Sequence, residues 1–342
     1  MLTESKHCEV VYSCAFYFPG VLLTAGDKEW SILKVAYNNL LKSKENTVKV
    51  TILLSIHEVA KVLGPKLTTE KLDSIVKSHL TKQPTTKLCL TRLHEFLPVL
   101  NESQRRNYLE LIKSIITLSG HQWRIRIILA EHAGDYAKLF NTQLVYKYIF
   151  PIICDLVQDK VGEVRVAACK EFTKVLSRLK ADEDHFNKAI DFVHKLAVST
   201  SFRGRQSFLL ICEKLMNSKE LFEEHFLTEF LRLQKDKVPN VRITLAKVLR
   251  SYINNSGENL YITRTIEALK EDESRDVREN IGGVIKETSK PKVSPEVLEK
   301  EQEMAAETLE SATSKDEEIR EEIRRQENKK LIKSTFKIDE IE

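Results

Sequence analysis

Breakers are scarce in this chain of 342 residues: it holds 10 glycines and 8 prolines, about 5% together where an average chain holds roughly 12%. That scarcity disfavours β-sandwiches and Gly-rich nucleotide folds and favours long helices. No apolar run approaches the roughly 18 residues that span a membrane, so no membrane role is expected. The N-terminus shows no basic region followed by an apolar segment and a small-residue cleavage site, so no secretory signal is expected either. The six cysteines, Cys8, Cys14, Cys89, Cys154, Cys169 and Cys212, contain no Cys-x-x-Cys pair. They read as free thiols in a reducing compartment, cytoplasmic with the nucleus also open, rather than as a disulfide or zinc framework. The sequons at Asn101 and Asn254 are then incidental.

Catalytic constellations are missing as well. There is no Gly-rich phosphate loop and no serine elbow. His57-Glu58 and His94-Glu95 begin like the zinc motif His-Glu-x-x-His, but the fifth residues are Lys61 and Pro98, so the second ligand is lacking. No other histidine spacing suggests a ligand set. The expectation is a non-enzyme with no metal and no cofactor.

What the chain has is a period. Lys49, Lys87, Arg126, Arg165, Arg205, Arg242 and Arg278 follow one another at 38, 39, 39, 40, 37 and 36 residues. Three residues beyond each anchor stand Ile52, Leu90, Leu129, Ala168, Phe208, Leu245 and Ile281. Seven beyond stand Ile56, His94, Ala133, Phe172, Cys212, Leu249 and Ile285. Positions three, four and seven share one helical face, so each anchor opens an amphipathic helix B. A second amphipathic helix, A, precedes each anchor, as in Tyr108 to Leu118 or Ile262 to Leu269. A lone hairpin would leave apolar faces bare, whereas stacking buries them. Asp159, Asp236 and Asp272 stand where a short carboxylate can accept backbone N–H groups two or three residues on, and Pro239 stands where a first helical turn tolerates it.

This pattern predicts an all-α superhelical solenoid of about seven hairpins over residues 28–289. Residues 1–27 are expected to be an irregular N-terminal cap or the stub of an earlier repeat, and 290–342 a charged tail, partly helical or disordered. Residues 291–342 carry 10 basic and 15 acidic residues, net −5, and residues 1–290 are net +9. Neither value demands a nucleic-acid partner.

Pro151, Asp159 and Arg165, with Val164 before the arginine, reproduce the hallmark of HEAT repeats. A closer likeness rests on His121-Gln-Trp-Arg-Ile-Arg126, Asp159 to Arg165, Arg203 to Phe208, and Asp236-Lys-Val-Pro-Asn-Val-Arg-Ile-Thr-Leu-Ala-Lys247. Phe18 to Val21, Ser55 to Gly64 and Leu93 to Leu97 extend it. In order and spacing these resemble the HEAT-repeat scaffold and regulatory subunits of type 2A-family protein phosphatases, most of all the family of phosphatase 4 regulatory subunit 1. The likeness covers roughly residues 15–285 and only the C-terminal half of such proteins. It implies a non-catalytic subunit that holds a serine/threonine phosphatase catalytic subunit, of phosphatase 4 or 2A, and directs it to substrate proteins. In the type 2A scaffold the turns of the last five repeats cradle that subunit. A general HEAT adaptor for transport or assembly, and a nucleic-acid-binding HEAT protein motivated by the basic body, remain the alternatives.

Two sets of residues are singled out on this basis. Asp159, Arg165, Asp236, Arg242, Asp272 and Arg278 are expected to form an architectural ladder, with anion or partner binding as the other reading. Trp123, Arg124, Lys160, Phe202, Arg203, Lys237, Asn240 and Arg275 project from the turns without a structural need, and Trp and Arg are enriched in interface hot spots. They are the candidate partner-binding residues, although Trp123 could instead pack within its own hairpin. The tail holds a single aromatic, Phe336, too little apolar surface to offset the cost of ordering it. A chain ending at Thr288 is therefore expected to melt at the full-length temperature. A melt that falls throughout would make the tail a cap on the last repeat.

Overall fold

The computed structural model describes residues 7–253 and 259–282, together with Thr3 and Ser5. These residues are helical without a strand among them. Two compact units divide the chain, Met1–Glu183 and Asp184–Glu342.

In the first unit α1 (Cys8–Ala25) is followed by α2 (Trp30–Lys42), α3 (Asn46–Leu54) and α4 (Ile56–Lys71). Next come α5 (Asp73–Leu80), α6 (Gln83–Phe96), α7 (Glu102–Leu118), α8 (Trp123–Glu131) and α9 (Ala133–Lys138). The unit closes with α10 (Thr142–Leu144), α11 (Phe150–Leu156) and α12 (Gly162–Leu179). Helix B of the first repeat is α3 with the start of α4. Gly64, at φ 72°, breaks α4 where only glycine is comfortable, and Pro65 opens its second segment. The remaining B helices are α6, α8 with α9, and α12. Each packs on the next, α3 and α4 on α6, α6 on α8, and α8 and α9 on α12, so the B helices form one layer of the unit.

The second unit repeats the plan with α13 (Glu183–Ala197), α14 (Phe202–Leu215), α15 (Lys219–His225), α16 (Leu227–Arg232), α17 (Pro239–Ile253), α18 (Leu260–Lys270) and α19 (Arg275–Gly282). Here α14, α17 and α19 are the B helices and pack in series. Ile52, Leu90, Leu129, Ala168, Phe208, Leu245 and Ile281, the residues three beyond each anchor, are all buried. The apolar face read from the period is thus the core. Ile285 and the tail lie outside the described residues.

Local chemistry explains the helix ends. Asn101 and Asn141 cap α7 and α10, their side chains accepting the amides of Gln104 (3.0 Å) and Leu144 (2.9 Å). Residues 145–149 widen into a π turn ahead of Pro151. A proline inside a helix removes one donor and crowds the carbonyl four residues back, and the wider turn relieves both.

Two expectations are corrected at the N-terminus. Residues 8–25 are not irregular but form α1, which packs on α2, α3 and α4. Val11, Ala15, Phe18 and Leu22 recur at three- and four-residue spacing and are buried, and Phe18 meets Trp30 and Tyr37 in an aromatic cluster. Pro19-Gly20 looks like a break, but the periodicity continues through it. By length and composition α1 is also the helix among the described residues apolar enough to cross a membrane, so the expectation that no run approaches that length fails. Tyr12, Phe16, Tyr17, Val21 and Leu23 keep its outer face apolar and exposed.

Glycine is needed where α14 starts. A Cβ on Gly204 would stand 2.6 Å from Ser199 Oγ and 2.7 Å from Ser199 Cβ, closer than real atoms approach. Gly204→Ala should cost ~1–3 kcal/mol from this overlap, more than the ~1 kcal/mol by which alanine favours a helix over glycine. Chemical denaturation would measure this, and adding Ser199→Gly should recover most of the loss.

Candidate functional site: the intra-repeat turns

Three of the A-to-B turns are built around a carboxylate. Asp159, Asp236 and Asp272 accept the backbone N–H two residues on, from Val161, Val238 and Ser274, each at 2.8 Å. This closes the turn and leaves the rest of the carboxylate facing the preceding repeat.

The preceding arginine fills that place. Arg126 donates from Nε (2.6 Å) and Nη2 (3.2 Å) to Asp159, one repeat on. In the second unit Arg205 grips Asp236 in the same fork, and Arg242 grips Asp272 at 2.7 and 3.0 Å. Arg242 also reaches Glu273 at 2.9 Å. The third nitrogen of each fork turns back to its own turn. Arg242 Nη1 donates to Asp236 O (2.6 Å), Arg205 Nη1 to Ser199 O (2.7 Å), and Arg126 Nη1 to Gly120 O. Arg165 and Arg278 bind their own turns likewise, through the carbonyls of Asp159 and Lys160 and of Asp272 and Glu273. Arginine suits this task because its planar fork holds a carboxylate with two donors and keeps more in reserve.

The pairs are largely shielded from water. The Arg205 and Asp236 side chains are 8% and 5% exposed, and those of Arg242 and Asp272 6% and 7%. Burial alone would raise the carboxyl pKa of Asp159 and Asp272. The arginine forks and the turn amides outweigh it and hold both below the ordinary carboxylate range. Asp272 is matched by Arg242, whose guanidinium is held more firmly protonated by the Asp272 bond, against an opposing effect of burial.

These bonds place successive turns side by side within each unit and set the candidate binding residues around them. Trp123 and Arg124 open α8, with the Arg124 guanidinium 4.6 Å from the Trp123 ring centre. Trp123 is half-buried and Arg124 exposed. Phe202 and Arg203 open α14 in the same way, with the guanidinium 5.7 Å from the ring. Both repeats thus display an aromatic ring carrying a cation. Lys160 and Lys237 are exposed on their turns. Asn240 is exposed, while its carbonyl accepts from Gln206 Nε2 at 3.1 Å. Arg275 is exposed too, but is engaged by Glu279 four residues on at 2.6 Å.

Two groupings escaped the sequence reading. Imidazoles and a carboxylate from neighbouring repeats, His94, His132 and Asp135, converge on the B-helix layer, as do His57, Glu58 and Glu95. The first set joins residues one period apart, so no local spacing could announce it.

Residues 14–115 match the family model of the protein phosphatase 4 regulatory subunit 1 middle domain. Over 293 residues, 80% of this chain, the sequence is 32% identical to the human serine/threonine-protein phosphatase 4 regulatory subunit 1. Over that stretch the chain is similar to phosphatase 4 regulatory subunit 1. The mouse protein matches at 32% over 294 residues, and the human phosphatase 4 regulatory subunit 4 at 22% over 265 residues, 72% of this chain. The chain spans 31% of the length of the human and mouse subunit 1 proteins, and 30% of the subunit 4 protein.

Breaking one rung should weaken the array. Arg242→Ala strands the buried Asp272 carboxylate and is expected to destabilise by ~1–3 kcal/mol. The folded pKa of Asp272 lies below its unfolded value, so its contribution is complete above about pH 4 and fades as pH falls through the folded value. The gap between wild type and Arg242→Ala in urea melts should therefore narrow below about pH 4. An unchanged gap would mean that the Asp272 bond is not its source.

Proposed function

We propose that this chain is a non-catalytic regulatory or scaffold subunit. It binds a serine/threonine phosphatase catalytic subunit of the type 2A family along its intra-repeat turns and directs it to substrate proteins. Phosphoester chemistry then belongs to the bound partner. One observation carries the reading: two turns present a preassembled aromatic–arginine pair, Trp123 with Arg124 and Phe202 with Arg203, on a backbone braced by buried salt bridges. A surface braced before binding loses little entropy on association, and Trp and Arg are the residues that most often dominate interfaces. The names of the relatives supply the class of partner. The six cysteines form no disulfide among the described residues; three are buried, and burial pushes the Cys89 thiol up to about 12, which fits the reducing interior of the cell.

The double change Trp123→Ala with Arg124→Ala should weaken binding of a type 2A-family catalytic subunit by at least ~2 kcal/mol, the scale of a hot-spot loss. Calorimetric titration of wild type and mutant measures it, with circular dichroism as the folding control. A wild type that binds no such subunit would return the chain to the general adaptor reading. Equal binding by the mutant would move the site away from this turn.

A further inference from the structure

The cluster on the B-helix layer has a chemistry that the turns do not share. His94 lies on α6, His132 lies at the bend between α8 and α9, and Asp135 lies on α9. One ligand atom from each lies within 4.8 Å of the other two. The imidazole rings face each other with centroids 3.8 Å apart and planes 13° apart. Burial lowers the proton affinity of both rings, and the His94 ring lowers that of His132 further. The Nδ1 atom of each is buried without a hydrogen-bond partner.

The carboxylate is poised too. Asp135 Oδ1 accepts from Lys138 at 2.9 Å, which fixes the group, while Oδ2 stands 3.7 Å from His132 Nδ1. Behind it lies Gly134, where a Cβ would come within 2.5 Å of Glu171 Oε2 and 2.8 Å of Lys174 Cβ. Glycine there lets α12 close onto the bend. Glu171 stands on the same side of the bend. Its side chain is 5% exposed, Oε1 accepts from Lys174 at 2.7 Å, and Oε2 is buried with no hydrogen-bond partner. Glu171 and His132 line the same cleft. Glu171 thus keeps one carboxylate oxygen without a hydrogen bond on the cleft that His132 lines, while Lys174 holds its other oxygen as Lys138 holds Asp135.

The neighbouring set is different. His57 Nε2, Glu58 and Glu95 already surround a cation, because Lys61 Nζ lies 2.9 Å from Glu58 and 3.1 Å from Glu95. Its ammonium fills the place a metal would take.

We propose that His94, His132 and Asp135 bind a divalent transition-metal ion, zinc by the chemistry of the donors, and so clamp helix B of the second repeat to helix B of the third. Two imidazoles and a carboxylate suit zinc with a fourth position open to water or another carboxylate. Parallel rings cannot both point a lone pair at one ion, so binding turns the imidazoles out of their stack. Residues 38 apart become cross-linked through the metal, which stabilises the folded state by mass action. The clamp lies on the B-helix layer and does not use the candidate binding residues of the turns, so it stands or falls apart from the proposed function.

The test uses the full chain stripped of metal by a chelator. Zinc chloride is titrated in competition with a chromophoric zinc indicator, and cobalt chloride in a parallel absorption experiment. The expected result is a single tight equivalent of zinc, a raised melting temperature, and cobalt bands in the visible without the near-ultraviolet charge-transfer band of a thiolate. The double variant His94→Gln with His132→Gln should lose more affinity than the roughly 10–100-fold typical of removing only a supporting hydrogen bond, whereas His57→Gln should bind as wild type does. Three results would overturn the proposal: no tight equivalent in wild type, equal affinity in a folded double variant, or a cobalt–thiolate band. If the double variant does not fold, the wild-type cobalt spectrum and stoichiometry decide alone.

Discussion

A single guanidinium placed at a joint governs this architecture. The arginine that opens a helix B binds a carbonyl of its own turn with one nitrogen and the carboxylate of the next turn with two others, in Arg126, Arg205 and Arg242 alike. Hydrophobic contact between stacked helices is non-directional and would tolerate sliding or rotation. The fork tolerates neither, because both its donors must meet both oxygens of one aspartate. The apolar faces supply most of the favourable free energy, and the rungs select one register among the stackings those faces would accept.

The cost of that selection explains its form. Burying a charge pair is rarely a net gain over a well-packed apolar pair, so a ladder of this kind is a device for specificity more than for stability. It is tolerated because every donor and acceptor is used: the aspartate also accepts a turn amide, and the arginine also satisfies a carbonyl. Rigid turns then let the exposed residues beside them, Trp123 with Arg124 and Phe202 with Arg203, adopt their stacked poses before any partner arrives.

Much of this is legible in the residues. The seven anchors and the apolar positions beyond them mark the B helices, and Asp159, Asp236 and Asp272 mark the turns. What fails to show has physical reasons. In α1 the Pro19-Gly20 pair hides a helix whose buried stripe runs straight through it. The direction of the rungs, from one repeat's arginine to the next repeat's aspartate, is invisible because an Asp and an Arg six residues apart look like partners of each other. The His94, His132 and Asp135 cluster is invisible for a related reason. Local motif reading looks for ligands on one helix, and here the repeat itself serves as the spacer.

The rungs also determine where length may vary. From Asp159 to Arg165, Asp236 to Arg242 and Asp272 to Arg278 the separation never changes, while the arginine-to-next-aspartate stretch runs from 30 to 33 residues. Inserting one residue inside the constant segment would turn the anchor by about 100° around its helix and point the guanidinium away from both partners. The same insertion in the connection from helix B to the next helix A leaves the fork untouched. One rim of each unit is therefore held to the residue, and the opposite rim is free to lengthen, shorten and diversify. Relatives built on this plan can change one side at will while presenting an unaltered face on the other.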